Sequence, residues 1–318
     1  MPSMIKLTGE SMRSVKLKLP KRYPRVLSIA GSDSGGGAGI QADIKTISAL
    51  GCYATTAITA LTAQNTLGVQ SVYAVPCSFL EMQIKAVLDD IGTDSVKVGM
   101  FASLENLELI TELLAHHMVK HVVFDPVMMS STGESLVSGQ FEDMNFDSTS
   151  ERAEHFREEI RGAVISLMRV TSIFTPNLVE TSFLLGREVR TSHDMKEAAT
   201  SFIELGANAV LIKGGHLKDA GQVPSSKVTD VFMDRSLTAF LMESKRIESA
   251  NLHGTGCTLS SAIAAYLATG LELQKAVELS RMYLIQAIKA GSNAEFEGSG
   301  PLNHGFAPLP LAAKSVNE

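Results

Sequence analysis

The segment 26–50 constrains the fold of this chain more than any other. A short apolar run (VLSIA, 26–30) is followed by nine residues of which five are glycine (31–39), and then by a stretch with apolar residues three to four apart (40–50). The first pattern is typical of a β-strand and the last of an amphipathic helix. The order strand, glycine loop, helix predicts the first unit of an α/β fold.

The same alternation continues along the chain. Apolar, strand-like runs at 95–100, 122–125, 173–175 and 209–213 alternate with stretches of helical spacing at 79–88, 104–114 and 195–205. Continuously apolar strands separated by helices predict a parallel sheet buried on both faces, with ligands at the carboxyl ends of its strands. Residues 228–247 predict an antiparallel hairpin at the sheet edge, and 257–290 predict two helices divided near Gly270.

Composition narrows the class of protein. With 318 residues, 45% of them apolar, the chain favours one large domain. A formal net charge of −6 argues against nucleic-acid binding through general basicity. No apolar run reaches the roughly 18 residues that span a bilayer, so we expect no membrane partner and a cytoplasmic location. Three distant cysteines fit neither a disulfide framework nor a zinc cluster.

Two segments depart from the alternation. Residues 1–24 are basic and predict a flexible extension; a transit peptide is the alternative, which leaves organellar import open. Residues 138–161 are acidic and predict a surface insertion that ends in an amphipathic helix. We therefore expect a single domain over 25–300 and a short tail over 301–318.

The glycine loop invites three familiar interpretations, and the sequence excludes each. Residues 37–42 fit the relaxed dinucleotide pattern GxGxxA, but no acid for the ribose occurs between Asp43 and Glu81. A phosphate-binding P-loop needs a glycine where Ile44 stands. The order of a trypsin-like protease is absent because the first histidine is His116. What remains is a flexible backbone that can close over a small flat ligand, with Asp43 behind it as ligand partner or as helix-dipole complement.

A second glycine site precedes the helix predicted from residue 257. Gly254, Thr255 and Gly256 place several backbone N–H groups at a helix N-terminus, which predicts an anion site suited to a transferring phosphoryl group. Cys257 falls in the first helical turn, where the positive helix end lowers the pKa of a thiol and makes it a candidate base. A buried packing cysteine is the alternative.

Polar residues also end three predicted strands. Thr175 has the chemistry of a helix N-cap, and Asn177 and Glu180 share one helix face, an arrangement that suits hydrated Mg²⁺ beside phosphates. A capping role for Glu180 is the alternative. Asp125 and Lys213 add one acid and one cation at the same sheet edge.

Taken together, these motifs resemble the hydroxymethylpyrimidine/phosphomethylpyrimidine kinases of thiamine biosynthesis, in the ribokinase-like superfamily. The motifs are GSDSGGGAGIQADIKT (31–46), TALTAQNT (59–66), KVGM (97–100), DPVM (125–128), TPNLVE (175–180), KGGH (213–216) and HGTGCTLSSAIAA (253–265). The resemblance implies a three-layer α/β/α domain with a mostly parallel sheet and a homodimer. It also implies transfer of the ATP γ-phosphoryl to 4-amino-5-hydroxymethyl-2-methylpyrimidine, and then a second phosphorylation to the pyrophosphate.

The resemblance further implies roles for individual residues. Gln64 would read the aminopyrimidine edge, with Asp43 and Gly31 near the ring and Met100 and Val127 as pocket walls. In the phosphoryl-transfer region, Cys257 would be the base and Gly254, Thr255 and Gly256 the anion hole; Thr175, Asn177 and Lys213 would lie along the ATP phosphates, and Glu180 and Asp125 would hold Mg²⁺ through water.

Two other functions stay open at this point. The first is phosphorylation of pyridoxal, as the main activity or as a side activity of the same class of kinase, although Cys257 and Gln64 favour the pyrimidine as the main substrate. A non-catalytic pyrimidine-binding regulator would keep the fold without the chemistry, although Glu180 and Lys213 argue against it.

Overall fold

A computed structural model of the chain describes residues 21–128, 151–215 and 226–315. Residues 1–20, 129–150, 216–225 and 316–318 lie outside that description, and with them most of the predicted basic extension and the first part of the acidic segment. Among the described residues, no helix combines the length and the apolar character that crossing a membrane requires.

The strands build one large sheet and one small one. In chain order they are β1 (Lys21–Arg22), β2 (Arg25–Asp33), β3 (Tyr53–Asn65), β4 (Gly68–Ala74), β5 (Ser95–Val98), β6 (Val122–Phe124), β7 (Ile173–Phe174), β8 (Ala209–Ile212), β9 (Lys227–Asp234), β10 (Ala239–Lys245) and β11 (Lys314–Ser315). Within the described ranges, nine strands follow the order β10-β9-β8-β7-β6-β5-β2-β3-β4, and β1 pairs with β11. The centre, from β3 to β8, is parallel. Antiparallel pairs form both edges.

Helices cover both faces of the large sheet. They are α1 (Gly39–Ala49), α2 (Cys77–Ala86), α3 (Leu104–His116), α4 (Glu151–Val170), α5 (Leu178–Leu185), α6 (Ser192–Glu204), α7 (Thr255–Ala268) and α8 (Leu273–Gly291), and α2 continues into a π-helical turn at Val87–Ile91. Helices α2 to α6 pack in one apolar cluster, whereas α1, α7 and α8 pack in another. The three-layer α/β/α architecture is confirmed.

Side-chain alternation along the strands explains why both faces need cover. In β6, Val122 and Phe124 belong to the cluster with α2 to α6, and Val123 belongs to the cluster with α1, α7 and α8. Successive strand side chains point to opposite faces, so an all-apolar strand must be buried twice. The edge hairpin β9–β10 and the helix division near Gly270 are also confirmed.

The long strand β3 and its partner β4 are absent from the sequence prediction. β3 has 13 residues, pairs with β2 in parallel and then turns back into β4. Its signal was the alternation YATTAITALTAQN, in which small alanines mask the period of two.

Two predicted segments bear on the extent of the domain. Helix α4 covers the end of segment 138–161, where the sequence predicts an amphipathic helix, and its Phe156 and Ile160 are buried in the core. The predicted tail also packs on the domain, because Leu302 and His304 are buried and the Leu309 amide donates to the Ala49 carbonyl at 2.7 Å. The packed unit therefore extends past residue 300.

Candidate active site

A buried carboxylate organises the glycine loop between β2 and α1. Asp33 ends β2, so Gly31 lies within the strand rather than in the loop. One Asp33 oxygen accepts the Gly35 amide at 2.8 Å, and the other accepts the amides of Gly37 and Ala38 at 2.9 and 2.8 Å. Sequence reasoning missed this role. Its signal was an Asp at the start of a glycine run, where a short carboxylate can bond nearby amides.

The two glycine sites touch each other. Gly254 has φ +86°, and a Cβ there would lie 1.9 Å from the Gly37 carbonyl oxygen. A Cβ on Gly37 would lie 2.4 Å from Cδ2 of His253. Only glycine fits either position without a shift of the backbone or of the imidazole. The structure thus brings both predicted loops to one place, at the N-terminus of α7.

An acid and a cation from two strand ends meet the first turn of α7. Lys213, just after β8, donates to one oxygen of Asp125, which follows β6. The other oxygen accepts from the Ser260 hydroxyl at 3.2 Å. A Cβ on Gly256 would lie 3.3 Å from the Asp125 oxygen and 3.4 Å from the Lys213 ammonium. The predicted anion site therefore has a charged pair on its flank.

Burial dominates the acidity of Cys257. The residue is 9% exposed. Desolvation raises the pKa of its thiol to about 11; Lys97 lowers it, and the carboxylates of Asp43 and Asp125 raise it further. The prediction of a lowered pKa was wrong, because desolvation of a thiolate outweighs the favourable helix end.

The start of α5 differs from the sequence prediction. Its N-cap is Asn177 rather than Thr175: the Asn177 side chain accepts the Glu180 amide at 2.9 Å, and the Glu180 carboxylate accepts the Asn177 amide at 2.7 Å. This is a capping box, the alternative considered for Glu180. Thr175 is fully buried, and its hydroxyl donates to the Phe124 carbonyl at 3.3 Å. It therefore links the end of β7 to β6 instead of capping the helix.

Glu180 nonetheless shares its surroundings with the charged pair. Burial raises the pKa of Glu180 to about 7; Lys213 opposes that rise and Asp125 adds to it. When Glu180 is ionised, the two carboxylates carry more negative charge than the Lys213 ammonium neutralises. Such a group is suited to a cation.

Asp43 lies beneath the glycine loop and is fully buried. Its carboxylate accepts from the Lys97 ammonium at 2.8 and 3.0 Å, from Ser28 at 2.6 Å and from Ser261 at 2.7 Å. Its position differs from the expected contact with a ligand ring, because its oxygens are already occupied. Lys97 was missed; a lysine inside an apolar strand was the available signal.

The expected pocket-wall residues gather on one side of the loops. Met100 is buried, and a Cβ on Gly31 would lie 2.6 Å from its sulfur. Met100 and the half-buried Val127 pack in one small apolar cluster with Ala60 of β3. A side chain at Gly31 would therefore displace the thioether of Met100.

Gln64 stands next to a histidine that sequence reasoning did not single out. At the end of β3, its amide nitrogen lies 3.2 Å from Nε2 of His253, and its amide oxygen lies 3.1 Å from the Thr62 hydroxyl. His253 Nε2 is also 2.9 Å from an Asp33 oxygen. The signal was the position of His253 directly before the second glycine site.

Solved structures define the class of protein to which this fold and site correspond. The phosphomethylpyrimidine kinase from Clostridium difficile 630 is 37% identical to this chain, with a TM-score of 0.66. The matched region covers 83% of this chain and 99% of the Clostridium chain. The Bacillus subtilis pyridoxal kinase, solved with ADP, is 34% identical with a TM-score of 0.75, covering 89% and 98%. The fold is that of the ribokinase-like kinases.

Sequence relatives narrow this class to one family. The profile described as phosphomethylpyrimidine kinase matches residues 33–303, and the chain belongs to that family. The hydroxymethylpyrimidine/phosphomethylpyrimidine kinase of Rhizobium meliloti is 41% identical over 87% of this chain and 96% of its own. The chloroplastic probable thiamine biosynthetic bifunctional enzyme of rice is 40% identical over 89% of this chain, which spans 48% of the rice protein.

Proposed function

We propose that the protein transfers the γ-phosphoryl of ATP to the hydroxymethyl group of 4-amino-5-hydroxymethyl-2-methylpyrimidine, and then phosphorylates the monophosphate to the pyrophosphate. The observation that carries the proposal is the meeting of Asp125 and Lys213 beside Gly256, at a helix N-terminus. The activity for which relatives such as the Rhizobium meliloti kinase are named supports the same substrate.

The proposed reaction is a direct displacement. The substrate hydroxyl oxygen bonds to the γ-phosphorus while the bond to ADP breaks, and the hydroxyl proton passes to the thiolate form of Cys257, which becomes the thiol. The backbone N–H groups of Gly254 and Gly256 stabilise the charge on the transferring oxygens, whereas that of Thr255 already donates to the Leu252 carbonyl at 3.3 Å. Because the transition state of such transfers is loose, positioning and electrostatics matter more than base strength. The raised pKa of Cys257 keeps its thiolate scarce near neutral pH, but that thiolate is a strong base once formed.

The acidic group also fits a divalent cation. Asp125 and Glu180 would hold Mg²⁺ through water, since Mg²⁺ retains several waters and uses few carboxylates. When bound, Mg²⁺ neutralises charge on the phosphate oxygens. Lys213 would lie along those phosphates as a donor. Asn177 and Thr175 would support the strand end and the helix start around them, because their side chains already bond there.

Phosphoryl transfer to the pyrimidine is tested by ADP release with purified protein, Mg²⁺ and ATP. We expect ADP to form in proportion to added pyrimidine, and phosphorus NMR to identify a monophosphate and then a pyrophosphate. Lys213→Met is the inactive comparison, and Lys275→Met, in an exposed pair on α8, is its matched control. Folded protein that releases no ADP with this substrate would overturn the proposal.

Pyridoxal kinase is the second candidate. The structural neighbours include the pyridoxal kinases of Bacillus subtilis, at 34% identity, and Staphylococcus aureus, at 30% identity. Side-by-side measurement of kcat/KM decides between the substrates, and we expect the pyrimidine to have the larger value.

The β3–β4 edge bears an exposed apolar face. Leu61, Leu67 and Tyr73 are 47%, 62% and 67% exposed. Leu61 and Tyr73 lie opposite each other in the β3–β4 register, and exposed apolar side chains at a sheet edge favour a protein contact. We propose that a second copy of the chain covers this face, which light scattering of the wild type and Tyr73→Glu tests.

Cytoplasmic location stays a prediction; the rice and Arabidopsis relatives are chloroplastic by name.

A further inference from the structure

The hydrogen-bond partners of His253 determine which ring nitrogen carries its hydrogen. Its Nε2 is 2.9 Å from an Asp33 oxygen that also accepts two backbone amides. Burial alone would raise the pKa of Asp33, but hydrogen bonds from His253 and from the Ala38 amide outweigh it and hold that pKa below its usual range. An ionised carboxylate only accepts, so Nε2 of His253 must carry the hydrogen.

A protonated Nε2 cannot accept a hydrogen bond from an amide NH₂ group. The neighbour that suits it at Gln64 is therefore the amide oxygen, which shares the single Nε2 hydrogen with the nearer Asp33 oxygen. A half-turn of the terminal amide exchanges nitrogen and oxygen in place. The backbone of Gln64 does not move in this exchange, because its amide and carbonyl are both bonded to the Ser34 hydroxyl, at 2.8 and 2.7 Å.

Thr62 independently requires the same orientation. Its hydroxyl lies 2.9 Å from the Ser32 carbonyl oxygen and 3.1 Å from the Gln64 amide. The Ser32 carbonyl can only accept, so it takes the single hydroxyl hydrogen. The hydroxyl then accepts from Gln64, which places the amide nitrogen next to Thr62. Two neighbours on opposite ends of the amide thus agree.

We propose that His253, held by Asp33, is a positioning residue that fixes the Gln64 amide with its oxygen toward the imidazole and its nitrogen toward Thr62. The amide keeps one N–H and one oxygen lone pair for a ligand, in a fixed order. An aminopyrimidine edge, with a ring acceptor beside an exocyclic amine, matches that order. A 4-oxo edge, with a ring N–H beside a carbonyl, reverses it. This inference rests on the proposed function for its substrate.

The fixed order makes His253 a specificity determinant. A site built to hydrogen-bond one edge leaves buried groups unpaired against the reversed edge. If the amide turned freely, either edge would be accepted. Removing the imidazole donor therefore impairs the amino substrate and improves the oxo analogue, whereas a general loss of structure would impair both.

The test compares kcat/KM for 4-amino-5-hydroxymethyl-2-methylpyrimidine and its 4-oxo analogue. We expect the wild type to favour the amino compound by about 100-fold or more. His253→Leu should reduce that ratio about tenfold or more, largely through KM, and His253→Gln, which keeps a donor near Nε2, should preserve it within about threefold. Thr62→Val carries the same expectation as His253→Leu and serves if His253→Leu does not fold.

Each outcome bears on one of the two proposals. An unchanged ratio in active His253→Leu and Thr62→Val, or an equal loss on both substrates, overturns the positioning role and leaves the kinase intact. Wild-type protein that phosphorylates neither compound overturns the proposed function itself.

Discussion

The ammonium of Lys97 lies 2.8 and 3.0 Å from the two carboxylate oxygens of Asp43, and both side chains are wholly buried. Burial alone would lower the pKa of Lys97, but the neighbouring Asp43 carboxylate holds it above the usual range. Ser261 of α7 bonds the same carboxylate, so the pair ties β5, α1 and α7 together beneath the two glycine loops.

Replacing Lys97 should destabilise the fold strongly. Lys97→Met leaves the Asp43 charge buried without compensation, which costs about 3–5 kcal/mol of unfolding free energy. Urea unfolding measures it. Lys275→Met removes an exposed ion pair and should leave the midpoint unchanged. Equal midpoints for Lys97→Met and the wild type would contradict a structural role for the pair.

Cys257 should set both the rate and its pH dependence. With its pKa raised to about 11, only a small fraction of thiolate exists near neutrality, and that fraction grows as pH rises. We expect kcat to increase with pH throughout the neutral and mildly alkaline range, which lies below that raised pKa, and Cys257→Ala to lose about 10²–10⁴-fold in kcat together with that slope.

Cys77 supplies the matched control for the Cys257 experiment. Burial, and then Glu105, raise the pKa of its thiol to about 11 as well. Cys77 begins helix α2, however, whereas Cys257 lies in the first turn of α7. Cys77→Ala should keep both the rate and the pH profile. If Cys257→Ala retained the wild-type rate and slope, the base would be another group.

Most of the fold follows from periodicity. The pattern of segment 26–50 predicts a strand, a glycine loop and a helix. The apolar runs near residues 97, 123 and 211 predict the parallel strands at the centre of the large sheet. Each has a strong period and a clear break, the conditions under which sequence patterns are informative. The strand β3 lacked such contrast, because alanine and threonine serve either face of a sheet.

Long-range pairing explains what the sequence did not reveal in the site. Asp33 and His253 are 220 positions apart, and Asp43 and Lys97 are 54 apart. Spacing along the chain contains no information on which polar groups saturate each other once buried. Asp43 therefore resembled a ligand contact, although Lys97, Ser28 and Ser261 already occupy it. Likewise, the burial that raises the pKa of Cys257 is a property of the packed structure.

Gly254 should tolerate no side chain, for two separable reasons. Its φ is +86°, and a Cβ would lie 1.9 Å from the Gly37 carbonyl oxygen. Gly270 has φ +89° with no neighbour within 4 Å of a Cβ, so Gly270→Ala measures the backbone strain alone, about 1–2 kcal/mol. Gly254→Ala should cost more in urea unfolding and abolish turnover, while Gly270→Ala keeps turnover. Equal costs would show that the two loops separate easily.

Glu180 should make the protein less stable as pH rises. Burial raises its pKa from 4.5 to about 7, with Lys213 opposing and Asp125 adding to the rise. Between those values the folded protein binds the proton more tightly than the unfolded chain. The contribution of protonated Glu180 to stability is therefore complete below pH 4.5 and is lost as pH rises through about 7.

Glu180→Gln keeps an acceptor for the capping box and should remove this part of the slope of stability against pH. The difference in unfolding free energy between wild type and variant, followed from pH 4.5 to 8, measures it, with exposed Glu243→Gln as control. Parallel curves for wild type and Glu180→Gln would show that the carboxyl group of Glu180 stays ionised throughout.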